Sequence, residues 1–76
     1  MNKQRRTRIE KIAASLAELQ SDIELVRDDE QEALDNLPEG LQESERGEHM
    51  QEVIDCLEEA ISNIEEAVEN LNTAAE

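Results

Sequence analysis

Phenylalanine, tyrosine and tryptophan are all missing from the chain. Its interior must therefore be built from aliphatic side chains and alanine, which bury less area per residue than aromatic rings do. The stacking platforms that single-stranded nucleic acid uses are missing as well. Cys56 is the only cysteine, so no intrachain disulfide can form, and a reducing compartment fits. No apolar run approaches the ~20 residues of a transmembrane helix. The charged N-terminus has no apolar stretch behind it and does not read as a secretory signal. Proline occurs once, as Pro38, and glycine twice, as Gly40 and Gly47. The strong breakers of regular structure are thus gathered in one short stretch.

Positive charge is also scarce. Seven Lys and Arg stand against 21 Asp and Glu, for a net charge of −14. The imbalance is uneven. Residues 1–11 hold Lys3, Arg5, Arg6, Arg8 and Lys11 against Glu10, a net of +4, whereas residues 12–76 hold 20 acids against Arg27 and Arg46, a net of −18. Such a body repels nucleic acid and anionic membrane and attracts basic protein surfaces. A partner protein with a basic surface is expected, and direct nucleic-acid or membrane binding is not. The segment Asn2-Lys3-Gln4-Arg5-Arg6-Thr7-Arg8 is the one part suited to phosphate.

What the chain does contain is helical period. Ile9, Ile12, Leu16, Leu19, Ile23 and Val26 advance by three and four residues, as do Met50, Ile54, Leu57, Ile61, Ile64, Val68 and Leu71. That step is the seam of a helix packed on another helix. The spacing predicts a first helix over about 2–36 and a second over about 45–74. Pro38 keeps Leu37 out of the helical conformation, so 37–44 reads as the turn, with room for one short helical turn at 38–43. Ser44 is placed to cap the second long helix, with Glu45 and Glu48 in its first turn, where the helix dipole favours anions. The fold class expected is an all-α, single-domain antiparallel hairpin spanning 1–76.

In heptad terms the first helix carries Ile9, Leu16, Ile23, Glu30 and Leu37 at position a, and Ile12, Leu19, Val26 and Ala33 at d. Glu30 is the polar intruder, and its place near the turn predicts a wet end of the seam. The second helix carries Ile54, Ile61 and Val68 at a, Met50, Leu57, Ile64 and Leu71 at d, and a third apolar column, Val53, Ala60 and Ala67, at g. A three-column face is wide enough to meet more than one neighbour. A lone hairpin would leave half of each seam wet. These columns are therefore expected to form an oligomer interface, most simply a homodimer closing into a four-helix bundle. Basic residues at the start of the first helix, and Glu65, Glu66, Glu69 and Glu76 near the end of the second, each oppose the helix dipole. An antiparallel hairpin would set the two groups side by side, and they are expected to pair.

Candidate chemistry is thin. His49 and Cys56 share position c, but seven residues separate them by about 10 Å along a helix, beyond the ~3 Å that a nucleophile and its base need. A bundle di-iron site requires Glu-x-x-His, yet Arg46 stands three before His49 and there is no second histidine. The chain has no Cys-x-x-Cys, no glycine-rich phosphate loop and no catalytic triad, so no enzyme activity, metal or cofactor is expected. Two surfaces are candidates for binding. One is a carboxylate ridge opposite the seam: Glu45, Glu52, Glu59 and Glu66 at f, and Glu48, Asp55, Glu69 and Glu76 at b. The other is the turn, with Leu41 and the lone cation Arg46. Eight acids over a rod of roughly 45 Å give one charge per ~6 Å, sparser than the one per ~1.7 Å of duplex DNA. Two hairpins side by side would hold about 36 net negative charges, or one per ~1.3 Å. Only a dimer could therefore compete with DNA for a basic cleft.

The central stretch Asp35-Asn36-Leu37-Pro38-Glu39-Gly40-Leu41-Gln42-Glu43-Ser44-Glu45-Arg46-Gly47-Glu48 lies between the basic start Met1-Asn2-Lys3-Gln4-Arg5-Arg6 and a Glu-Glu-Ala-rich end. Over nearly its whole length the chain resembles small acidic proteins encoded in phages and prophages of Gram-positive bacteria. The resemblance is most specific in that central stretch. It implies a phage setting and a cytoplasmic location in a bacterial host, where small acidic proteins often block host defence or host nucleic-acid enzymes. It carries over no functional residues.

Overall fold

The first helix begins where Asn2, in extended conformation, turns its side-chain oxygen to accept the Arg5 amide at 2.8 Å. In the computed structural model, which describes Met1–Glu76, helix α1 runs Lys3–Asp35. It stops at Asn36, whose amide reaches the Glu32 carbonyl at 3.0 Å. Pro38 follows in extended conformation (φ −54°, ψ 145°) and leads into a single helical turn, α2, over Glu39–Gln42. Ser44 then restarts the chain as an N-cap. Its side chain accepts the Gly47 amide at 3.5 Å, and its hydroxyl donates to the Leu41 carbonyl. Helix α3 runs Glu45–Ala74 with Glu45 and Glu48 in its first turn.

The chain is all-helical and extended, 59 × 14 × 12 Å, with α1 packed along α3. At the turn end Leu34, Met50 and Ile54 form the core, with Leu37 packed against them. Ile54 is the most enclosed large side chain, 1% exposed. Farther along, Ala13, Ile61 and Ala75 are also buried. On α3 the a column is innermost, through Gly47, Ile54, Ile61 and Ala75, while Leu57, Ile64 and Leu71 at d and Val53, Ala60 and Ala67 at g are half-buried.

The rotation of α1 departs from the expected a/d seam. Its inward columns are a, where Ile9, Leu16 and Ile23 are half-buried, and e, where Ala13 and Leu34 are buried. Ala13 is buried near one end of the pair, and Leu34 packs in one cluster with Met50 and Ile54 at the other. The d column is turned out: Ile12, Leu19 and Val26 are 51%, 53% and 55% exposed. Glu30 is half-buried rather than fully wet.

The two long helices are also offset along their axes. Gln20 Nε2 donates to Glu65 Oε1 at 3.0 Å, and Leu34 packs with Met50 and Ile54. Both contacts put Ala74, the last residue of α3, level with about residue 11 of α1. Some eight residues of α1, Lys3 to Glu10, therefore project beyond the end of α3 by roughly 12 Å. The 59 Å long axis, against about 50 Å for α1 itself, agrees with that offset.

Candidate interaction surfaces

The offset overturns one expectation. Lys3, Arg5, Arg6, Arg8 and Lys11 make no ion pair with Glu65, Glu66, Glu69 or Glu76, and the only ion pair in the chain joins the neighbours Arg27 and Asp28 at 3.0 Å. The basic turn of α1 has largely run past its intended partners, and Glu65 is held by Gln20 instead. Arg6 alone among these cations is half-buried, and its Nε lies out of water without a hydrogen-bond partner. Met1, Arg5, Arg8, Ile9 and Ile12 line a shallow open depression on this overhang. The surface is basic at its end and apolar toward the hairpin.

The acidic ridge of α3 stands free. Glu45, Glu48, Glu52, Asp55, Glu59, Glu66, Glu69 and Glu76 are all exposed. None is in an ion pair, and only Asp55 accepts a side-chain hydrogen bond, from Gln51 at 3.0 Å. The α3 seam fixes this geometry, because positions b and f point away from the buried a column on every turn. Unpaired carboxylates in water gain nothing from the fold. They are fully available to a cationic surface, at a desolvation cost their partner must offset.

The turn is more tightly packed than its sequence suggests. Gly47 is buried. A Cβ built there would lie 2.1 Å from the Gln42 carbonyl oxygen and 2.8 Å from that of Leu41. Only glycine lets α2 fold down onto the first turn of α3. Gln42 Nε2 also donates to the Leu37 carbonyl at 3.2 Å and the Asp35 carbonyl at 3.4 Å, tying α2 back to the end of α1. On this braced tip Leu41 is 44% exposed, and Arg46 is exposed without an ion pair.

The fourth surface is the outward d column of α1. The hydrogen bond between Gln20 and Glu65 joins the e columns of both helices on one flank. In an antiparallel pair the d columns must then lie together on the opposite flank. Ile12, Leu19 and Val26 therefore adjoin the half-buried d and g columns of α3 in a single apolar face. Leu25, 64% exposed, stands beyond its edge. The sequence predicted that one hairpin leaves part of the seam wet but could not show that the uncovered part is the d column of α1. The buried e residues Ala13 and Leu34 were not picked out by the a/d reading; their seven-residue step through Gln20 and Arg27 was the available signal.

Neither metal nor nucleophile chemistry gathers on these surfaces. His49 and Cys56 are both exposed on the outer side of α3. No three of the His, Cys, Asp and Glu side chains come together in a metal-binding group. No helix is long and apolar enough to cross a membrane. No protein-family model matches the chain, and no curated protein or solved structure does so either.

Proposed function

We propose that this chain is a non-enzymatic protein-interaction module. In this reading it pairs as a homodimer into a four-helix bundle and binds a basic surface of a host protein through the α3 ridge. The observation that carries it is the state of that ridge, with eight exposed carboxylates, none in an ion pair, seven of them on one stripe of a 30-residue helix and Glu76 just past its end. A merely solubilising surface needs mixed charges in no particular order. Here the b and f positions of α3 carry acids and no base, and the attraction they offer is long-range at low salt. The phage setting, with modulation or blockade of a host factor as its outcome, rests on the resemblance of the central stretch to small acidic phage and prophage proteins.

The test is differential capture from a bacterial host lysate, read by mass spectrometry. Reversing Glu52, Asp55, Glu59 and Glu66 to Lys should remove the captured partner. Changing Leu41 and Arg46 should not. The opposite pattern would move the binding surface to the turn, and retention by both variants would sink both assignments.

A second reading, DNA mimicry, is favoured by the regular step of the ridge carboxylates. It requires the dimer, because one hairpin is too sparsely charged. Its distinguishing result is competition: duplex DNA should displace the bundle from its target stoichiometrically. A target that holds both at once is not being mimicked.

A further inference from the structure

We propose that a second copy of this chain covers the exposed Ile12–Leu19–Val26 column, with the two α1 helices antiparallel and meeting at Leu19. Arg8 of each copy then faces Asp29 of the other. This rests on the dimer of the preceding reading and specifies its orientation, which that reading leaves open.

Four observations converge on it. The column is about half exposed along its length, so the hairpin itself does not use it. Leu19 is the midpoint of α1, Lys3–Asp35, and Ile12 and Val26 lie seven residues to either side. Turning one α1 end for end therefore superimposes the column on itself, with Ile12 opposite Val26 and full overlap of the two helices. The neighbouring g column reads Arg8, Ser15, Asp22, Asp29. In the antiparallel pair Arg8 meets Asp29 and Ser15 meets Asp22. In the parallel pair the two g columns fall on opposite flanks, so Arg8 lies against the apolar a column of the other copy and the attraction to Asp29 is lost. Finally, the basic overhang of one copy would lie beside Asp28, Asp29, Glu30, Glu32 and Asp35 of the other. This supplies the opposite charge that the overhang lacks in its own hairpin. Neither Arg8 nor Asp29 is committed to an ion pair or side-chain hydrogen bond within the chain, and both are exposed.

Sedimentation equilibrium on charge variants tests the pairing. Arg8→Asp and Asp29→Arg should each weaken self-association about tenfold, as two exposed pairs per dimer turn from attractive to repulsive. The double variant should return it to within a few-fold of the parent. Asp29→Arg lowers the magnitude of the net charge from the −14 of the parent. If overall repulsion governed assembly, that variant would associate more tightly, and this result would overturn the pairing. Orientation is read separately by pulsed electron resonance on a spin label at Gln4→Cys in a Cys56→Ser background. The antiparallel pair puts the two labels about 45 Å apart along the axis. A parallel pair brings them within about two helix diameters, ~25 Å. A dimer with the short distance overturns the orientation while leaving the dimer standing. A monomer at 100 micromolar concentration (on the order of the highest used in such runs) overturns both the orientation and the dimer.

Discussion

Replacing Gly47 by alanine should destabilise the hairpin, although alanine is the better helix former. The added Cβ would fall 2.1 Å from the Gln42 carbonyl oxygen and 2.6 Å from its carbon. Both are backbone atoms, so no side chain can swing aside. To restore ordinary contact, α2 must lift from α3 by about 1 Å. That shift strains the bond from the Ser44 hydroxyl to the Leu41 carbonyl and the bonds from Gln42 to Leu37 and Asp35. Losing two such bonds costs about 2 kcal/mol, and a disturbed Ser44 cap costs about 1 kcal/mol more. The gain in helix propensity returns about 1 kcal/mol, leaving a net loss of about 2 kcal/mol. For a domain of this size that lowers Tm by roughly 8–16 °C. Gly40→Ala is the internal control. Nothing lies within 4 Å of a Cβ at that position, and its φ is not positive. It should stabilise by about 0.5–1 kcal/mol, through helix propensity and the lower entropy of the unfolded chain. Circular dichroism melts at one fixed protein concentration measure both. Equal or greater stability of Gly47→Ala would refute the reasoning, and so would matching signs for the two glycines.

Other consequences are simpler to check. Ile54→Ala, at the centre of the core, should cost about 2–5 kcal/mol in urea unfolding, whereas Leu25→Ala, 64% exposed, should stay within about 0.5 kcal/mol of the parent. Ser44→Ala removes the cap oxygen of α3 and should cost about 1 kcal/mol, with amide exchange accelerated at Gly47 before the middle of the helix. Raising salt from 20 to 500 millimolar, values that shorten the Debye length from about 20 Å to about 4 Å, should raise Tm, because screening relieves an acidic body that has a single internal ion pair. A fall in Tm would show that attractive pairs dominate instead.

Much of this architecture is written locally. Pro38 and the glycines confine the break, Asn2 and Ser44 carry oxygens that satisfy free helix amides, and the three-four step of the apolar residues does the rest. The b and f carboxylates inherit their ridge from the same period, so that candidate surface is legible without coordinates. The rotation of α1 is not. Columns d and e lie on either side of a, and the periodic pattern favours d because Ile12, Leu19 and Val26 are larger and more apolar than Ala13, Gln20 and Arg27. A single neighbour cannot cover both flanks of a. The burial of Ala13 and the packing of Leu34 with Met50 and Ile54 show that the choice falls to e.

The axial offset has the same character. Charge pattern alone sets Arg5, Arg6 and Arg8 against the closing glutamates, yet exposed pairs contribute at most about 1 kcal/mol each and cannot move two helices packed on a core. The chain reversal can: Gly47 admits the Gln42 carbonyl, and the tightly folded α2 fixes how far α3 starts beyond the end of α1. Sequence by itself thus determined the helices, their caps, the turn and the acidic ridge, because each depends on residues a few positions apart. Tertiary structure alone decided which apolar column stays uncovered and where the basic end projects, because both depend on how two long rods settle against each other through contacts distant in the chain.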